Sequence, residues 1–177
     1  MCRKGDKEMK LKGIEVINNF LTQWCENHDF DVVCVMGTDY QIDLGGNVLF
    51  YAPFYSEQTE TIFREEIVKD FPQFANCDLS MNTIIAFFHE IGHAETENEW
   101  TDKEWKKFEK WREREDITDR EYFRHPIEWR ATEWACNYIL EHTEEVAKLW
   151  EDICILFSWF YEINEVEIEE EENNICD

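Results

Sequence analysis

The segment IIAFFHEIGHAE, residues 84–95, sets His89, Glu90 and His93 directly after an apolar run. On a helix, positions i and i+4 stack one above the other, so the two imidazoles project the same way, one turn apart. That spacing lets both reach a single Zn²⁺ at about 2.0–2.1 Å. Glu90 is rotated about 100° from His89. It does not ligate as an equal of the histidines, but it can reach a water on the metal, where a general base belongs. The competing explanation is an ordinary amphipathic helix with a polar stripe. The neighbours argue against it: Ile84, Ile85, Ala86, Phe87 and Phe88 leave no polar face one turn upstream. Two imidazoles and a carboxylate buried there without a partner are costly, and a bound cation removes that cost.

A catalytic zinc site has three protein ligands and one open position. The extended motif HExxHxxGxxH fails, because Thr96 and Glu99 stand where its glycine and third histidine would be. The candidates for the third ligand are Glu97, His125, Glu128 and Glu133. Glu97 would spread three ligands over about 12 Å of one helix, too far for one ion. Glu133 lies about 140° round the helix from Glu128 and points towards solvent. Glu128 is better placed. Ala131 and Ala135 share its face, and that small surface lets its helix press against the HEIGH helix. Gly92 offers the same closeness from the other side. His125 stays open between ligand, oxyanion donor and helix-start residue, and Tyr122 is a second candidate donor.

Elements to carry these residues can be read on both sides. Residues 8–26 have helical apolar spacing at Ile14, Ile17, Leu21 and Trp24. FDVVCVMG, 30–37, reads as a strand, and YQIDLGGNVLFYAP, 40–53, as two strands joined at Gly45-Gly46 and ended by Pro53. Residues 58–70 suggest a short helix, and Asp78 or Ser80 can cap the HEIGH helix. TDKE, 101–104, is a capping-box signal before a helix with Trp105, Phe108 and Trp111 on one side. Pro126 suits the first turn of a helix over 124–142. Thr143 can cap a last helix with Val146, Leu149, Trp150, Ile153, Phe157 and Phe160 inward. The expected fold class is α+β: an N-terminal helix, a small three-stranded antiparallel or mixed sheet, the HExxH helix and three further helices. One domain over 1–161 and a flexible acidic tail over 162–177 account for the chain.

The bulk numbers narrow the function. With 177 residues, 44% hydrophobic and 15% aromatic, the chain can bury a sizeable core. The formal charge of −24 repels nucleic-acid phosphates, and keeps a protein soluble or draws a basic partner. The longest apolar run, ICILFSWFY at 153–161, is about half a bilayer span, so no membrane partner is expected. Seven cysteines, an odd count with no CxxC pair, point to free thiols in a reducing, cytoplasmic setting.

HEIGH followed by Glu128-x-x-Ala131-x-x-x-Ala135 resembles the ImmA/IrrE-type zinc metallopeptidases of bacteria and their mobile elements. YFRHPIEWRATEWACNYI is similar to small metallopeptidases carried by phages. The resemblance spans about residues 80–140. It implies a zincin-like fold, His89, His93 and Glu128 as zinc ligands, Glu90 as catalytic acid/base, and an edge strand that pairs with an extended substrate. Thr132 departs from it, standing where many relatives carry Asn. So does the long Trp-rich spacer at 100–118, and the family's helix-turn-helix module is not visible.

The expectation is a zinc-dependent endopeptidase acting on a protein or peptide through a zinc-activated water, with Glu90 as base. A di-iron carboxylate bundle would need a second Glu-x-x-His pair, which the chain lacks. The rival is a non-catalytic acidic protein of a mobile element that mimics DNA or occupies a basic partner, its zinc structural or vestigial.

Overall fold

The computed structural model describes the backbone of residues 4–52, 57–77 and 81–173, and the side chains of 12–52, 62–77, 81–160 and 162. Pro53, Asp78, Ser80 and residues 174–177, on which some expectations fall, lie outside these. The chain runs α1 (Lys4–Asn27), β1 (Val33–Met36), β2 (Gln41–Asp43), β3 (Val48–Tyr51), α2 (Glu57–Asp70), α3 (Met81–Thr96), α4 (Asp102–Arg112), α5 (Asp119–Phe123), α6 (Pro126–Glu141) and α7 (Thr143–Asn173). Single 3₁₀ turns at Pro72–Asn76 and Glu97–Glu99 join α2 to α3 and α3 to α4. The class is α+β, and four helices follow α3 rather than three. The extra one is the five-residue α5. The helix expected to end near 161 continues as backbone to Asn173.

The sheet is mixed, with order β1-β3-β2. β2 and β3 form the expected antiparallel hairpin, Ile42 facing Leu49, and β1 lies parallel to β3, Cys34 facing Leu49. Asp43 closes the hairpin turn: its Oδ1 accepts from the Gly45 N–H at 3.1 Å, and its carbonyl from the Gly46 N–H at 3.3 Å. Asn47 takes φ 50°, a conformation Asn tolerates better than most residues.

The two sheet edges differ. On β1 the outward N–H groups of Cys34 and Met36 donate to Thr22 Oγ1 and Asn18 Oδ1 of α1, each at 2.9 Å. That edge is sealed by side chains. On β2 the outer side has no backbone partner among the described residues, and Ile42 lies near Glu90 of α3.

α3 is the centre of the molecule. Every residue from Ile84 to His93 is buried, as a helix apolar all round requires. α6 packs along one side of it, β2 and β3 lie on another, and α2 touches a third. Phe88 and Ile91 are fully enclosed, with Leu21, Leu49, Phe63, Cys136 and Leu149 among their companions in the core. α7 contributes Val146, Leu149, Ile153 and Phe160, the inward positions its spacing predicts.

α2 is fastened to α5 and the start of α6 by one buried carboxylate. Glu66 has a side chain 3% exposed and pairs with Arg120 Nε and Arg124 Nε, each at 2.7 Å, and with Lys69. Arg124 also donates to the Glu66 carbonyl at 2.8 Å and lies 3.8 Å over the Trp129 ring. Burial alone would raise the Glu66 pKa. Hydrogen bonds from Lys69 and Arg124 outweigh it and hold the carboxyl below the ordinary glutamate range. Among the described residues no helix is long and apolar enough to cross a membrane. Cys25, Cys34, Cys77, Cys136 and Cys154 are free thiols.

Candidate metal centre

The site forms where α3 and α6 touch. A Cβ added to Gly92 would lie 2.5 Å from the Ala131 carbonyl oxygen, so only glycine permits this approach. Ala131 and Ala135 present the matching small surface and are fully buried. His125 is the N-cap of α6 and Pro126 its first residue, which puts Glu128 in the first turn. The positive end of the helix dipole favours a carboxylate there.

This contact brings Glu128, alone of the four third-ligand candidates, to the two histidines. His89 Nε2 lies 3.1 Å from Glu128 Oε2 and 3.1 Å from His93 Nε2, and His93 Nε2 lies 3.4 Å from Glu128 Oε2. Three ligands of a tetrahedral ion at about 2.0–2.1 Å stand roughly 3.3 Å from one another. The triangle already has that size, so these residues fit a small divalent ion without rearrangement, and the buried group can bind a metal ion. Burial opposes charge on both His89 and Glu128. Their mutual hydrogen bond outweighs it, raising the histidine pKa and holding the carboxyl well below its usual range.

Thr132 orients the ligands. Its hydroxyl donates to the Glu128 carbonyl at 3.1 Å, so it accepts from His89 Nδ1–H at 3.0 Å. Fixing that proton on Nδ1 turns the Nε2 lone pair to the metal position. Sequence reading noted Thr132 only as a departure. Its place one turn after Glu128 was the available signal.

Glu90 is 8% exposed and sits beside this triangle. Burial pushes its pKa above the ordinary range. The nearby imidazoles and the Ile42 N–H draw it back, and the Glu128 charge adds to the rise. A cleft of about 650 Å³ opens over the centre, with Glu90, His89, His93 and Glu128 among its lining. β2, Phe63, Tyr122 and the inner side of α4 form its walls. Burial raises the pKa of the Tyr122 hydroxyl, and the nearby Glu128 charge adds to the rise.

His125 does not line this cleft. Its ring is held between Phe108 and Trp111, with centroids 4.6 and 4.5 Å away, and its Nδ1 accepts the Ile127 N–H at 3.3 Å. Glu97 is exposed in the 3₁₀ turn. Glu133 turns outward to Arg130 at 3.1 Å.

The chain matches no family model, no curated protein and no solved structure. Its reading therefore rests on its own geometry.

Proposed function

We propose that the chain is a zinc-dependent metallopeptidase, with a zincin-like fold and a kinship to the ImmA/IrrE-type enzymes. The observation that carries this reading is the triangle of His89, His93 and Glu128 on the floor of an open cleft, with the buried Glu90 carboxylate beside it. Zinc, held by these three side chains, would supply Lewis acidity and lower the pKa of a water towards 7. Glu90 takes the proton of the attacking water and passes it to the leaving amine. Glu90 lines the cleft beside the three ligands, and that placement suits a group that must both accept and release a proton. Tyr122 faces the cleft and is the donor for the oxyanion of the tetrahedral intermediate. His125 anchors α6 and so positions Glu128. The open edge of β2 holds the substrate backbone in extended form.

Three protein ligands beside an open cleft favour this reading over a structural metal in an acidic binding protein, which calls for four ligands. The test is a peptide-library digest by the zinc-loaded protein. Glu90→Gln keeps stoichiometric zinc and loses about 10²–10⁴ in rate. His89→Ala loses both. Undiminished cleavage by the Gln variant removes Glu90 from the chemistry. Absence of cleavage in the wild type, together with salt-sensitive capture of a basic protein by Glu90→Gln, establishes the binding reading instead.

A further inference from the structure

The chain holds 41 acidic residues against 17 lysines and arginines. The arginines among them ordinarily find an acceptor. Five of the six described arginines do so. Arg64 donates to the carbonyls of Ala75 and Cys77, Arg114 pairs with Asp116, Arg120 with Glu65 and Glu66, Arg124 with Glu66 and Asp70, and Arg130 with Glu99 and Glu133. Arg112 has no hydrogen bond or ion pair among the described residues. It is also the one lysine or arginine that lines the cleft above the metal centre, and Asp119 lines the same cleft without pairing to it.

Its position is built by α4. Trp105, Phe108 and Arg112 fall at i, i+3 and i+7, one face of that helix, and all three line the cleft. Phe108, 2% exposed, is the anchor of the face, and the Arg112 guanidinium stands 5.9 Å from its ring centroid. Tyr122 lines the same cleft as Arg112, as does Glu128. A capping box holds the first turn of α4: Glu104 Oε2 accepts the Thr101 N–H at 2.8 Å, and Thr101 Oγ1 accepts the Glu104 N–H at 3.4 Å. A guanidinium on the cleft wall with no carboxylate partner of its own is suited to an anionic oxygen pair.

We propose that Arg112 is a specificity-determining residue that binds a carboxylate on the substrate next to the scissile bond. The substrate class is therefore a peptide with an acidic side chain, or its own C-terminal carboxylate, at that position. This rests on the metallopeptidase reading and reverses the preference for basic peptides that the net charge alone would give. The planar guanidinium can take both carboxylate oxygens at once, which lysine cannot.

The test uses the full zinc-loaded chain and short peptide hydroxamates, which bind metal and are not cleaved. One probe carries Glu beside the hydroxamate with an amidated terminus, one carries Gln there, one carries Lys, and one has a free terminal carboxylate in place of the side-chain acid. Binding is read from tryptophan fluorescence at low salt. The Glu probe or the free-terminus probe binds at least about tenfold more tightly than the Gln probe, and which of the two does so tells the side-chain source from the terminal one. Arg112→Gln abolishes the difference and leaves the affinity for the Gln probe unchanged, and Arg112→Lys keeps part of it. Equal affinities in the wild type, a preference for Lys, or a preference that survives Arg112→Gln overturns the proposal and leaves the metal centre standing. Failure of every probe to bind overturns the metal-dependent peptide site and the proposal with it.

Discussion

Glu66 and Glu128 are both glutamates in the first rank of burial, with side chains 3% and 4% exposed. They are neutralised in opposite ways. Glu66 is met by two guanidiniums and an ammonium that carry charge at every physiological pH. Glu128 is met by two imidazoles, whose charge depends on a proton, and by no lysine or arginine among the described residues. One cluster completes its charge from the chain itself and joins α2 to α5 and α6. The other leaves its charge to be completed from outside and lies on the floor of a cleft. Burial alone does not separate a structural carboxylate from a ligating one. The permanence of the partner does.

The strongest way to break this contrast is to neutralise each carboxylate in turn. Saturating zinc stabilises the wild type and Glu66→Gln by about 4 kcal/mol when free metal exceeds Kd a thousandfold. It leaves Glu128→Gln unmoved, and chelator titrations followed by thermal melting read the difference. Glu66→Gln itself costs about 2 kcal/mol whether or not metal is present, since it strands partners that are partly exposed. Gly92→Ala comes next. Its methyl meets the Ala131 backbone, so the variant loses about 1–3 kcal/mol and, by moving α6, weakens zinc binding as well. An unaltered zinc Kd would mean that α6 can shift without carrying Glu128 away. Thr132→Val reduces zinc affinity tenfold to a hundredfold, whereas Thr132→Ser retains it. Equal losses in the two would assign the effect to packing and not to the His89 hydrogen bond.

The smallest effect is in acid. The folded pKa of Glu66 lies below its ordinary 4.5. Its contribution is therefore complete above that value and fades as pH falls through the lowered one. Removing Arg124 with Arg124→Gln lets the folded value rise, so acid unfolding of the metal-free protein, followed by circular dichroism, begins at higher pH. An unshifted acid limb would mean that Lys69 and Arg120 suffice to hold Glu66 charged.

The parts of this architecture that the sequence discloses are those with local causes. The i, i+4 spacing of His89 and His93 and the apolar run before them mark a buried helix. Gly45-Gly46 marks the hairpin, and Thr101 with Glu104 marks the start of α4. The α5 helix has the same signature at Thr118 and Glu121, where Glu121 Oε2 accepts the Thr118 N–H at 3.0 Å. Its shortness left no apolar period to announce it. The strand order is not local at all, since nothing in residues 33–36 indicates that they lie beside β3 and not β2. The roles of Thr132 and Arg112 are hidden for a related reason. Each becomes visible only when α3, remote in sequence from both, is brought to the same site.

The sealing of β1 by Thr22 and Asn18 has a consequence for self-association. A second molecule cannot lengthen the sheet on that flank, because the backbone donors there are already engaged. Growth by strand addition is confined to β2, where an incoming copy would fill the mouth of the cleft. On the proposed function, polymerisation of that kind would exclude a peptide from the cleft, so an aggregate grown through the sheet would be self-inhibited.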